Sequence, residues 1–148
     1  MYGPFDTTDP NKAHALNALV SKIVKAKKEN RNKFEVWGSG IAIREWLFVK
    51  DFAGIVKRTI TDLKTYGLSE PINIAQNFGL SVRELVEIIL SGTKYNGEII
   101  WNRNMPDGAQ RKVMNDSRFK KIFPDFKFTE LEKGIKETIE YYESIYPY

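Results

Sequence analysis

The segment Phe34–Asp51, FEVWGSGIAIREWLFVKD, constrains the fold more than any other stretch of the chain. Two strand-like runs, Phe34–Trp37 and Glu45–Val49, flank a Gly38-Ser39-Gly40 turn, and an amphipathic helix pattern follows Val49-Lys50-Asp51. Trp37 and Arg44 stand at the edges of the turn. A flat indole and a planar guanidinium on either side of a glycine turn suit an aromatic ring joined to phosphates. The ring can stack, and the guanidinium fork can donate to phosphate oxygens two at a time. On these residues alone the plainer reading, a buried tryptophan with a surface arginine, stands ahead.

The remaining elements follow from periodicity and caps. Asn11–Asn30 predicts a helix with Leu16, Leu19, Val20, Ile23 and Val24 on one face, and places His14 in its first turn. A lone histidine there reads first as a cap or surface residue. A second helix runs from Val49 to about Tyr66, with Phe52, Ile55, Val56, Thr59, Ile60 and Leu63 as its apolar stripe and Gly67 as its stop. Asp51 is placed to cap or charge-stabilise its start. Pro71–Ala75 reads as a short buried strand and Glu98–Trp101 as another, preceded by the Asn96-Gly97 turn signal. Capping boxes at Ser81/Glu84 and Thr129/Glu132 open a third and a last helix, with Leu131, Ile135, Ile139 and Tyr142 inward in the latter. Asp116–Phe123 reads as a short helix. Between these elements Met105–Lys112, MPDGAQRK, sets two adjacent cations, Arg111 and Lys112, on a loop opened by proline and glycine. Alone, such a pair is usually solvated surface.

Composition narrows the classes. The 148 residues are one domain's worth, and 42% hydrophobic content is that of a globular chain rather than a disordered one. No apolar run reaches membrane-spanning length and no signal peptide is present, which fits a cytoplasmic protein. The absence of cysteine removes disulfides, thiolate nucleophiles and Cys-ligated metal, and a single histidine removes a His-rich metal site. No residue is assigned to a metal. Gly38-Ser39-Gly40 lacks a third glycine and leads into a strand, so it is not a dinucleotide-binding turn, and no residue is assigned to a cofactor. The net charge of +4 gathers in Lys22, Lys25, Lys27, Lys28, Arg31 and Lys33. A basic adaptor for RNA or DNA would use that cluster, but no nucleic-acid motif accompanies it, and a wet helix face explains it as well.

The stretch Trp37–Asp51 resembles the W-G-[ST]-G-x-x-x-R-E-[FW]-[LI]-x-V-x-D signature of the extended short-chain dehydrogenase/reductases that act on nucleotide-diphosphate sugars, nearest the GDP-L-fucose synthase (epimerase/reductase) branch. Tyr2-Gly3-Pro4, Ala13-His14-Ala15 and Pro106-Asp107-Gly108 with Arg111-Lys112 match further segments of that family. The resemblance covers nearly the whole chain, but only the C-terminal half of the family's enzymes. It implies a mostly helical α/β substrate-binding domain with short strands, spanning residues 1–148 and lacking the N-terminal Rossmann portion. It further implies that Trp37, Arg44, Arg111 and Lys112 bind a nucleotide-diphosphate sugar, that His14 is a catalytic acid/base, and that NAD(P) serves a complete member. Departures are Asn17 for proline, Lys50 for an acid, Ala75-Gln76-Asn77 in place of Gly-Thr-Gly, Asn115 for aspartate, and no Tyr-x-x-x-Lys. The start inside the Tyr-Gly-Pro motif implies that the upstream half is absent or lies on another chain. The apolar edge of Ile72–Ala75 then predicts a Rossmann-domain partner chain or self-association. The alternatives are the substrate domain of another nucleotide-sugar epimerase or dehydratase, an inactive truncated fragment, and the basic adaptor.

Overall fold

A computed structural model of the protein describes residues 1–9, 12–62 and 70–148. In chain order the elements are α1 (Ala15–Lys28), β1 (Lys33–Trp37), β2 (Ile43–Arg44), α2 (Val49–Thr61), β3 (Leu80–Ser81), α3 (Val82–Thr93), β4 (Glu98–Asn102), β5 (Arg111–Lys112), α4 (Ser117–Ile122) and α5 (Leu131–Ile145). The layout is α/β with more helix than strand, as the sequence predicts. β1 and β4 pair in parallel from Lys33↔Glu98 to Trp37↔Asn102. A second, three-stranded sheet has the order β3-β2-β5, with β2 antiparallel to β3 and parallel to β5.

The main core joins α1, α3 and α5 to β1. Leu16, Val20, Ile23 and Val24 from α1 meet Leu85 and Ile89 from α3 and Ile135, Ile139 and Tyr142 from α5. Phe34 and Val36 supply the buried face of β1, whose alternate residues Lys33, Glu35 and Trp37 face solvent. The inward faces of α1 and α5 match their apolar periodicity, because helices that pack on both sides must bury the same stripe along their length.

Helix α1 ends at Lys28, two residues short of the expected Asn30, and the ending is a Schellman motif. Asn30 takes a left-handed φ of 51°, the Arg31 amide donates to Ala26 O at 2.9 Å, and the Asn30 amide donates to Lys27 O at 3.2 Å. The lysine cluster here has partners of its own: Lys27 pairs with Glu143 at 2.9 Å, Lys33 with Glu98 at 3.4 Å, and Lys25 with Glu29 at 3.9 Å.

Several boundaries differ from expectation. α1 begins at Ala15, so His14 is its N-cap rather than a first-turn residue; Asn11 lies outside the described residues. The strand expected at Glu45–Val49 sits two residues earlier, at Ile43–Arg44. Phe48 instead forms a parallel bridge with Tyr2, whose amide donates to Leu47 O and whose carbonyl accepts from the Val49 amide. α2 stops at Thr61, with Asp62 extended; Leu63, Tyr66 and Gly67 lie outside the described residues. Among the described residues of its expected stripe only Ile55 is buried, in a small second core with Phe119 and Phe123, while Ile60 is 69% exposed. Pro71–Ala75 is not a strand. Its residues alternate, with Ile72 and Ile74 against the second core, but it joins no sheet among the described residues.

The Ser81/Glu84 capping box of α3 is present in both directions. The one expected at Thr129 is not: α5 starts at Leu131 behind Glu130, and Thr129 is used elsewhere. Its amide and hydroxyl donate to the two oxygens of Asp51, at 2.9 and 2.7 Å. Asp51, in the first turn of α2 and almost fully buried, thereby ties α2 to the start of α5.

Two helical glycines should respond oppositely to alanine. A Cβ on Gly134 would lie 2.3 Å from the Tyr2 hydroxyl, whereas one on Gly54 meets nothing within 4 Å. Gly134→Ala should lower unfolding free energy by about 1–3 kcal/mol, and Gly54→Ala, exposed on α2, should raise it by about 0.5–1 kcal/mol. Denaturant titration of both variants measures the difference.

Candidate functional site

The parallel strands β1 and β4 end side by side, and each runs into one of the segments singled out in the sequence. β1 leads to Gly38-Ser39-Gly40 and β4 to the Met105–Lys112 loop. Gly38 and Gly40 have φ of +83° and +81°, a region that L side chains rarely occupy. A Cβ on Gly38 would stand 2.4 Å from Asp107 Oδ1, so the missing side chain makes room for a carboxylate from the facing loop. Asp107 fills that room. Its Oδ1 accepts from the Ser39 amide and its Oδ2 from the Ser39 hydroxyl, both at 2.7 Å. These bonds, the side-chain one foremost, and then the charge of Arg44 hold the Asp107 carboxyl below the ordinary aspartate value.

Arg44 closes the junction from β2. Its Nη2 donates to the Asp107 carbonyl at 2.9 Å and its Nη1 to the Ile43 carbonyl at 2.8 Å. Two of five guanidinium N–H groups are thus spent on neutral oxygens, which fixes the plane and leaves the others for an anion. The neighbouring Glu45 works in the other direction: its carboxylate accepts from the Gln76 amide and, at 2.9 Å, from the Met114 amide. The β2–β5 ladder sets Arg44 opposite Lys112 and Ile43 opposite Arg111. In a parallel ladder opposite residues share a face and successive residues alternate. Arg44 and Lys112 therefore stand together, and Arg111 belongs to the other face with Ile43.

Trp37, the last residue of β1, precedes the glycine turn and is 60% exposed, with Lys22 Nζ 5.4 Å from its ring centre. An indole so exposed at a strand end is unusual for a core aromatic. His14 lies elsewhere. It lines a hollow of about 290 Å³ with Tyr2, Phe5, Asp6, Asn17 and Val49, none of which is a candidate of the glycine-turn group. Its Nδ1 is 3.2 Å from Asp6 Oδ2.

The structure thus gathers Arg44 and Lys112, places Trp37 at the adjoining turn, turns Arg111 away, and sets His14 apart. Sequence reasoning missed Asp107, Ser39 and Arg83. Arg83 donates to the Ser39 carbonyl at 2.9 Å and lies 4.3 Å from the centre of the Trp101 ring. Asp107 sits between proline and glycine, where an aspartate reads as a turn former, and nothing in the local pattern marks Arg83. A dinucleotide pyrophosphate does not fit the glycine turn: the Ser39 amide already serves Asp107, and a carboxylate occupies the space above Gly38. Among the described residues no three His, Cys, Asp or Glu side chains are grouped to hold a metal, and no helix is long and apolar enough to cross a membrane.

Comparison with known proteins gives concordant results. The NAD dependent epimerase/dehydratase family matches residues 1–75. The chain is 32% identical over 142 residues to the probable GDP-L-fucose synthase 1 of Oryza sativa subsp. japonica, covering 96% of this chain and 42% of that protein. It is 28% identical to the GDP-L-colitose synthase of Yersinia pseudotuberculosis over 96% of this chain and 45% of that protein. The crystal structure of a GDP-L-fucose synthetase from Naegleria fowleri superposes with a TM-score of 0.88 at 26% identity, over 98% of this chain and 44% of that one; a second crystal structure of that protein is bound to NADP. The chain spans less than half the length of each of these relatives.

The Asp107 junction has a defined pH dependence. Because the folded-state carboxyl titrates below its ordinary value of 3.8, the restraint is complete above that value and is lost as the pH falls through the lowered one. Protection of the Ser39 amide from hydrogen exchange should persist down to the ordinary aspartate range and disappear beneath it. In Asp107→Ala it should be missing throughout.

Proposed function

The chain belongs to the NAD dependent epimerase/dehydratase family, and from that premise we propose that residues 1–148 are the C-terminal substrate-binding domain of a nucleotide-sugar epimerase/reductase of the GDP-L-fucose synthase type. The observation that carries the reading is the junction itself: Asp107 and Arg44 lock two remote segments so that Arg44 and Lys112 share one face, and the exposed Trp37 ends the strand that leads into the same glycine turn. Arg44 and Lys112 hold the diphosphate and Trp37 walls or stacks on the nucleotide, while Arg111, on the opposite face of β5 with Ile43, is left out of the phosphate contacts. Residues 45–48, between β2 and α2, link this junction to the hollow of His14, which Val49 lines at the start of α2. His14 is assigned to proton transfer at the sugar. Guanine is the expected base, because the relatives in rice and Yersinia are named for GDP-sugars. A different nucleotide-sugar epimerase or dehydratase would keep the phosphate contacts and change the base.

NAD(P) chemistry belongs to the part of a complete enzyme that binds the dinucleotide, and here it is expected from a Rossmann-type half outside residues 1–148 or on another chain. Two uncovered features support such a partner. Phe52, Val56 and Ile60 leave an apolar strip open on α2, and beside it the segment Ile72–Ala75 packs Ile72 and Ile74 on the second core and has no ladder partner among the described residues. Co-expressed with a cofactor-binding half from a relative, the chain should sediment as a one-to-one complex, and Ile60→Asp with Ile74→Pro should abolish it. Self-association that survives both changes would count against this partner.

Titration of GDP against the isolated chain, read by tryptophan fluorescence, tests the binding proposal. Saturation between low micromolar and millimolar concentration is expected of a partial site. Arg44→Lys and Lys112→Ala should each weaken it about tenfold, with UDP weaker than GDP and the response lost in Trp37→Phe. No saturable response from the wild-type chain would overturn the proposal.

A further inference from the structure

His14 is the only histidine of the chain, and one carboxylate organises its surroundings. Asp6 Oδ2 lies 3.2 Å from His14 Nδ1 and accepts the His14 backbone amide at 3.1 Å and Asn17 Nδ2 at 2.7 Å. Asp6 Oδ1 accepts the Thr7 amide at 2.9 Å. The anchor is sheltered and the ring is not: the side chains are 18% and 63% exposed. Asn17 is buried and faces both ways, because its Oδ1 also accepts the Gly3 amide at 3.1 Å. The residue that departs from the family's proline is therefore the one that pins the Tyr2–Asp6 segment to α1.

The backbone before Asp6 is strained. Phe5 has a φ of 70°, a conformation that a bulky L-residue adopts only when its surroundings impose it. Its ring rests on Tyr141 with centroids 5.0 Å apart, and the Tyr142 hydroxyl donates to the Thr7 carbonyl at 3.4 Å. The turn so held delivers the Asp6 carboxylate to the N-terminus of α1.

Burial alone would raise the Asp6 carboxyl, but hydrogen bonds from Asn17, from the backbone of His14 and Thr7, and from the His14 ring outweigh it and keep the group ionised at neutral pH. An ionised carboxylate can only accept. Nδ1 must then carry hydrogen, and in the neutral ring Nε2 is the open lone pair, directed away from Asp6. A histidine side chain free in water prefers the opposite tautomer, with the hydrogen on Nε2.

We propose that Asp6, locked by Asn17, is a positioning residue that fixes His14 as the Nδ1–H tautomer and makes Nε2 the atom that exchanges protons with bound substrate. The proposal rests on the assignment of His14 to proton transfer made above. When Nε2 takes a proton the ring becomes an imidazolium, Nδ1–H stays in place, and the new charge forms beside the Asp6 carboxylate. When Nε2 returns the proton the ring reverts to the same tautomer. If Asp6 served only to cap α1, the tautomer would be unaffected by it.

Long-range ¹H–¹⁵N correlation spectra of the single histidine, taken at alkaline pH, decide the matter without a variant. Nδ1–H should dominate by about tenfold in the wild-type chain; a dominant or equal Nε2–H form overturns the proposal. Asp6→Ala should reverse the ratio while GDP affinity stays within about twofold. Should Asp6→Ala fail to fold, Asp6→Asn retains an acceptor oxygen for α1 but no charge, and the Nε2–H fraction should rise; an unchanged ratio in the folded variant overturns the proposal. A chain with the expected tautomer that ignores GDP would instead overturn the binding proposal alone.

Discussion

One carboxylate joins the two halves of the candidate site. Asp107 can lie against the Gly38-Ser39-Gly40 turn only because Gly38 has no side chain, and it repays the turn with two short hydrogen bonds to Ser39. Its own carbonyl then holds Arg44. Every part is needed: a Cβ at Gly38 would displace the carboxylate, and without the carboxylate the left-handed turn would lack its cross-brace. The β2–β5 ladder, with two residues in each strand, is too short to hold the loop by itself. Side-chain bonds do that work instead.

The molecule is unevenly finished. On one side α1, α3 and α5 close over β1 with fully buried aliphatic side chains. On the other, α2 covers the second core with Ile55 and leaves Val56 and Ile60 in solvent. Asp51 keeps α2 from drifting by taking both donors of Thr129, a costly use of a buried charge that is offset by paired, charge-assisted bonds. The same economy recurs at Asp6, where one carboxylate receives the donors of a loop, a helix start and a ring.

Local patterns were readable where a residue's neighbours in sequence are also its neighbours in space. The apolar faces of α1 and α5, the Ser81/Glu84 box and the glycine turn all belong to this class, since each depends on residues within a turn or two. The Thr129 box was misread for the converse reason: Thr129 and Glu132 have the right spacing, but Asp51, far away in sequence, competes for the same donors. The strand expected at Pro71–Ala75 has the right residues and the right alternation, yet a strand needs a neighbour and none is supplied among the described residues.

By itself the sequence determined the fold class, the family and the two segments that carry the candidate binding groups, because these are written in periodicity, turn residues and contiguous motifs. Only the tertiary structure decided how the groups are shared out. It set Arg44 with Lys112 and turned Arg111 away through a ladder register that no local signal encodes. It also gave Asp107, Arg83, Asp6 and Asn17 their partners. The reason is geometric: a hydrogen bond depends on a separation of about 3 Å in space, and separation along the chain carries no information about it.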